Sequence, residues 1–402
     1  MTSPLPKKLI IAVIGCFFLF TVIRISQNSN KEDMQSAAND ELDDLNSLNY
    51  ISEKDIFDKM FSNVLKPTKL EPYYFKCNCE PKADDITIAT LMTVDRLSNL
   101  FNSLSSNEAF YSVAVHITDN EELEKNLSKL KYFLLENKKL FANRVDLHLI
   151  TDKYPRQLNY FRNVARFFSR TDLILPLDVD FMLNEKFLSN IKSDDFVMEK
   201  LTSGNGIFIL PAFEYREQWK KTTFEEFPQK KSEVVENFEK TLKIFHGKRN
   251  LGHKSTDYEK WLNATQVYQI QPESFRYEPF GIFNTTTVPW SDERFIGYGG
   301  NKATWWYEIY LAGLEFYVLP YNFVIHIHHS YAVGKVRDDE REQNSDAILN
   351  FINEICKRYR IMFENSGGGI YDMMGCHPVL IDEEVSAPTI DPPPVAQAIP
   401  AQ

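Results

Sequence analysis

Four short apolar runs, with stretches of helical periodicity between them, constrain this chain more than any other feature. They are Ile86–Met92 (ITIATLM), Tyr111–Ile117 (YSVAVHI), Val145–Ile150 (VDLHLI) and Asp172–Leu177 (DLILPL). Helical patterns over Asn120–Leu140 and Leu158–Ser169 separate them. Strands alternating with helices predict an α/β domain with a mostly parallel sheet covered by helices. Further strands are expected at Ile207–Pro211, Phe316–Pro320 and Phe323–His326. A chain of 402 residues that is 43% hydrophobic can bury such a core.

In open α/β sheets ligands bind beyond the carboxyl ends of the strands. The run Leu173-Ile-Leu-Pro-Leu ends there in Asp178-Val-Asp180. Two carboxylates so close repel each other unless a cation compensates, and hard oxygen ligands suit Mn2+ or Mg2+. A solvated turn after a strand is the plainer alternative. A second apolar run, Phe323-Val-Ile, ends in His326-Ile-His328-His329, where an imidazole could complete a metal site. Between them, Ser291-Asp-Glu-Arg-Phe-Ile-Gly-Tyr-Gly-Gly-Asn-Lys302 leads into an expected helix with Glu308. Gly297, Gly299 and Gly300 would let backbone approach a ligand closely. The glycine spacing is not that of a P-loop. No Gly-x-Gly-x-x-Gly follows the first strand, and no Gly-x-Ser-x-Gly elbow is present.

The termini read differently. Leu9–Ile23 is uncharged, preceded by Lys7 and Lys8 and followed by Arg24. It is shorter than the roughly 20 residues of a full span, but its flanking cations can snorkel. No small-x-small cleavage site follows, which favours an uncleaved signal anchor over a signal peptide. The lysines predict a cytosolic tail over 1–8, an anchor over 9–25 and a luminal remainder. Residues 26–75 read as a stem, with an amphipathic helix over about 50–70. Residues 76–380 form the globular domain, and 381–402 a Pro-rich disordered tail. Cys77, Cys79, Cys356 and Cys376 permit two disulfides in three connectivities, and Cys77-Asn78-Cys79 lacks zinc-knuckle spacing. Sequons at Asn126, Asn263 and Asn284 are glycosylation candidates in a secretory compartment. A net charge of −11 with no basic stripe argues against nucleic acid.

Several motifs then recur in a familiar order. Asn159 to Ala165 (Asn-x-x-Arg-Asn-Val-Ala) precedes Asp178-Val-Asp180-Phe, and Pro211-Ala-Phe-Glu214 follows. Next come His253-Lys-Ser-Thr-Asp257-Tyr-Glu-Lys-Trp261, the glycine segment to Lys302 with Glu308, and Val318-Leu-Pro320 leading to His326. This order resembles the family 49 glycosyltransferases, the group containing the LARGE glucuronyltransferase domain. The resemblance covers about residues 80 to 360. It implies a GT-A fold, Rossmann-like, as a single catalytic domain on an N-terminal transmembrane anchor. It also implies type II topology in the Golgi membrane and inverting, Mn2+-dependent transfer from a UDP-sugar to a glycan or glycoprotein. On this resemblance Asp178, Asp180 and His326 hold the metal, and Asp178, Arg162 and Asn163 contact the UDP-sugar. Asp292, Glu293 and Glu308 are the candidate bases, without a choice among them. Glucuronate and N-acetylglucosamine both stay open as the sugar, as does association into a homo- or hetero-oligomer. A silent luminal binding protein on the same fold is the alternative of another class. Two departures from the family stand out: Tyr154-Pro155 lies further from Asn159, and Gly300 replaces a Trp.

Overall fold

The computed structural model describes residues 69–365, except 155, 218–226, 248–250, 273 and 330–334. The expected anchor, cytosolic tail and Pro-rich tail lie outside the described residues, as do most of the stem and its amphipathic helix. No helix of the described residues is long and apolar enough to cross a membrane.

The chain runs β1 (Lys69–Phe75), β2 (Ile86–Thr93), α1 (Leu97–Ser106), β3 (Phe110–Thr118), α2 (Leu123–Glu136), α3 (Lys138–Arg144), β4 (Val145–Asp152), α4 (Leu158–Phe167) and β5 (Leu173–Pro176). Then follow β6 (Phe181–Leu183), α5 (Phe187–Lys192), α6 (Asp195–Thr202), β7 (Gly206–Leu210), β8 (Ala212–Tyr215), α7 (Lys231–Asn237), β9 (Leu242–Ile244), α8 (Tyr258–Asn263) and β10 (Tyr268–Ile270). The series ends with β11 (Phe280–Asn284), α9 (Asn301–Leu311), β12 (Glu315–Val318), β13 (Val324–His326) and α10 (Lys335–Asn365).

Among the described residues, nine strands form one sheet in the order β1-β4-β3-β2-β5-β11-β7-β12-β10. The four runs that dominate the sequence are its parallel half, β4-β3-β2-β5. The expectation of a mostly parallel sheet fails beyond β5. There β11 runs antiparallel to both β5 and β7, while β1 and β10 close the two edges antiparallel. Strand β1, inside the span expected as stem, pairs with β4. Side chains from both faces are buried: Ile88, Val113 and Leu175 in one apolar core, Ala89, Ala114 and Ile174 in the other. That two-sided burial explains the near-continuous apolar runs.

A second, small sheet, β6-β13-β8-β9, positions the site. Pro176 ends β5 and has no N–H to continue the ladder. The chain then turns, with the Phe181 N–H donating to Asp178 O at 3.1 Å. Strand β6 pairs antiparallel with β13 so that Phe181 faces His326. Strand β13 in turn runs parallel to β8. Cys77 and Cys79 form a disulfide with each other, and Cys356 is disulfide-bonded too.

Candidate metal and donor site

The pairing of Phe181 with His326 brings the carboxyl end of β5 to the end of β13. Ile327 N–H donates to Asp180 O at 2.8 Å, locking the two segments together. Asp180 Oδ2 then lies 2.7 Å from His329 Nε2 and 3.7 Å from His326 Nε2. One ligand atom from each of these three residues lies within 4.8 Å of the others. Asp180 Oδ1 is buried with no hydrogen-bond partner. Burial pushes the Asp180 carboxyl up, but hydrogen bonds and charge from His326 and His329 outweigh it and hold it well below the usual range. A carboxylate and two imidazoles converging on one point, with an orphaned buried oxygen, fit a divalent ion of the Mn2+ class.

Only His326 of these histidines is expected from the resemblance. His329 belongs to the His326-Ile-His328-His329 run that could supply an imidazole, but nothing in the run ranks it above His328. Its Nδ1 lies 3.3 Å from Arg96 Nη2.

Asp178 is not part of that cluster. Its Oδ2 accepts from Lys302 Nζ at 2.6 Å, and Arg162 Nη2 stands 3.9 Å from Oδ1. Lys302, unassigned from sequence, also sits over the Phe280 ring at 4.1 Å. Glu278 feels the same charges: burial raises its pKa against the pull of Lys302 and Arg162. His253 packs nearby, and burial lowers its pKa to about 3, with Lys302 pushing the same way.

Helix α4 presents Asn159, Arg162, Asn163 and Arg166 at i, i+3, i+4 and i+7, one face of a helix. That face pins the 285–301 segment. Asn159 Nδ2 donates to Asp292 O and Asn301 O, at 2.6 and 3.1 Å. Arg162 Nη1 donates to Asn159 Oδ1 and Asn301 Oδ1, both at 2.7 Å. Arg166 donates to Pro289 O, Thr285 O and Val288 O. Asn163 was expected at the nucleotide. Instead it donates to Ser291 O and Glu293 Oε1 at 2.8 Å each and accepts from Ser291 N–H, so both its N–H groups are engaged.

The three candidate bases are also committed elsewhere. Asp292 is 1% exposed and held by Arg294 through contacts of 2.6 and 3.0 Å. Glu293 is buried on Asn163, and burial raises its pKa to about 8. Glu308 is buried in α9, taking hydrogen bonds from Arg358 at 2.7 Å and Tyr359 at 3.2 Å. The glycines are corrected similarly. Gly297, Gly299 and Gly300 all have positive φ, but the space a Cβ would fill belongs to α10, at Glu340, Arg341 and Ile348. They admit a helix where a ligand was expected.

Of the sequons, Asn263 is exposed and Asn126 half-buried on α2. Asn284 is 6% exposed; its amide faces Leu201 O and Thr202 O, and its Oδ1 accepts from Thr286. A glycan there is incompatible with this fold.

A family model described as glycosyl-transferase for dystroglycan matches residues 150–360. Glycosyltransferase-like protein gnt14 of Dictyostelium discoideum is 31% identical over 288 residues, which are 68% of this chain and 42% of that protein. Xylosyl- and glucuronyltransferase LARGE1 of Homo sapiens is 27% identical over 301 residues, 71% of this chain and 38% of its own length. The chain thus spans about two fifths of the length of the curated relatives it matches. A crystal structure of GalNAc-T7 with UDP, GalNAc and Mn2+ superposes with a TM-score of 0.41 at 12% identity, over 62% of this chain and 45% of that one. The match over residues 150–360 takes in β5, the aspartates, the glycine segment and the histidines, and the chain belongs to glycosyltransferase family 49.

Proposed function

We propose that this chain is an inverting, Mn2+-dependent glycosyltransferase that moves a sugar from a UDP-sugar to a glycan or glycoprotein. The observation that carries the reading is the convergence of Asp180, His326 and His329 beside the Asp178–Lys302–Arg162 cluster, in a member of this family. Asp180, His326 and His329 would hold the metal, with Asp178 toward the metal or the ribose. Bound there, the ion would supply Lewis-acid stabilisation of a diphosphate leaving group. Lys302 and Arg162 add cations that can balance charge developing on that diphosphate. They also offer partners to an acidic sugar, which favours glucuronate over N-acetylglucosamine as donor. The acceptor hydroxyl must still lose a proton to a base. Asp292, Glu293 and Glu308 are each engaged with other partners in this structure, and the base stays unassigned among them and other carboxylates.

On this reading residues 9–25 anchor the chain in the Golgi membrane with the catalytic domain in the lumen. An intact triad speaks against a silent binding protein, whose expected mark is loss of a ligand. Purified full chain incubated with Mn2+, simple acceptors and a panel of UDP-sugars tests the proposal by UDP release. Turnover with one donor is expected; no turnover with any donor, with no metal-dependent UDP binding, would overturn it.

A further inference from the structure

Helix α10 closes on the glycine segment from outside the cluster of charges, and its contacts are specific. The Glu340 carboxylate accepts from Tyr298 N–H at 2.8 Å and pairs with Arg156 at 2.5 Å. Arg156 stacks 4.4 Å from the Tyr298 ring centroid, and its carbonyl accepts from Gly297 N–H at 2.9 Å. Asn344, 1% exposed, donates to Ile296 O and Tyr298 O at 2.9 Å each and accepts from Ile296 N–H at 3.3 Å. The backbones of Ile296 and Tyr298 therefore hydrogen-bond to side chains of a helix more than forty positions away. Without side chains at 297, 299 and 300, the helix can come this close.

The same segment opens α9 and delivers two side chains to the site. Asn301 Nδ2 donates to Gly297 O at 2.6 Å while its Oδ1 accepts from Arg162 at 2.7 Å. One residue later, Lys302 reaches Asp178 at 2.6 Å. Contacts thus run from α10 to the loop, from the loop to Asn301 and Lys302, and from these to Arg162 and Asp178.

We infer that Glu340 and Asn344 are positioning residues of the donor site, holding Lys302 and Asn301 in register with Asp178 and Arg162 through the 296–300 loop. This rests on the reading of that cluster as the UDP-sugar site. A few tenths of an ångström at the loop would lengthen the Lys302–Asp178 contact, and groups that act as one unit respond non-additively when removed singly and together.

The test is a double-mutant cycle in the full chain, reading Mn2+-dependent UDP affinity for wild type, Asn344→Ala, Lys302→Met and the pair. Each single change is expected to weaken UDP about tenfold, and the pair little more than either alone. Glu340→Gln, a milder change that retains an acceptor for Tyr298 N–H, guards against misfolding and should weaken UDP about threefold. In parallel, amide exchange of the 296–304 segment should quicken in Asn344→Ala while that of β3 stays put. Fully multiplicative losses, wild-type affinity in both α10 variants, or unchanged exchange would overturn the inference. If wild type binds no UDP at all, the donor-site reading fails. The exchange arm then reports separately whether α10 holds the loop.

Discussion

Glu293 distinguishes a buried structural acid from a catalytic base, and Glu293→Gln is the informative change. In the fold its pKa rises from the ordinary 4.5 to about 8, first because burial disfavours the charge and further because Asp292 is near. The proton is bound more tightly in the folded chain. Stability from this group is therefore fully present below about pH 4.5 and is lost as pH climbs through 8. Each pH unit inside that window removes up to about 1.4 kcal/mol, so the span from pH 5 to pH 8 removes roughly 3–4 kcal/mol. Glutamine retains an acceptor for Asn163 Nδ2 and cannot ionise. Urea unfolding at pH 5 and pH 8 should find wild type and Glu293→Gln of similar stability at the lower pH. At the higher pH the variant should be more stable by a few kcal/mol, with turnover retained. A stability difference that ignores pH would refute the burial argument. Lost turnover with UDP affinity and fold intact would refute the purely structural role argued for Glu293.

Two further outcomes follow from the packing. Gly300→Ala places a Cβ at φ +86, about 2.9 Å from Ile348 Cδ1, and should destabilise the chain by about 2 kcal/mol, read as a lowered thermal midpoint. When the protein is made in a eukaryotic secretory host, peptide mapping should find glycan at exposed Asn263 and none at Asn284. Glycan on Asn284 of folded protein would contradict the packing of its amide.

The parallel half of the large sheet was legible because β2, β3 and β4 have eight or nine residues and all four strands, the short β5 included, are apolar runs buried on both faces. Of the small sheet only β13 was legible, as the apolar run Phe323–His326; β6 and β9 were not, because they have three residues each and no periodicity can register over so few. Yet that sheet is what sets Asp180 beside His326. Sequence placed Asp178 and Asp180 at a strand end. Nothing in their i, i+2 spacing says that one turns to the histidines and the other to Lys302. Helix α4 shows a similar gap. Its polar face is readable at i, i+3, i+4 and i+7, but its partners are carbonyls of residues 285–301, which no local pattern names. The glycines announced close approach correctly and misled about what approaches, since α10 begins 35 residues after Gly300.

The most direct test of the central claim is calorimetric titration of UDP into the full chain, with and without Mn2+, for wild type and Asp180→Asn. The account predicts metal-dependent binding by wild type and at least a hundredfold weaker binding by the variant, with thermal stability measured alongside to show that it folds. Equal affinity of the two proteins in Mn2+, or wild-type affinity indifferent to the metal, would contradict it.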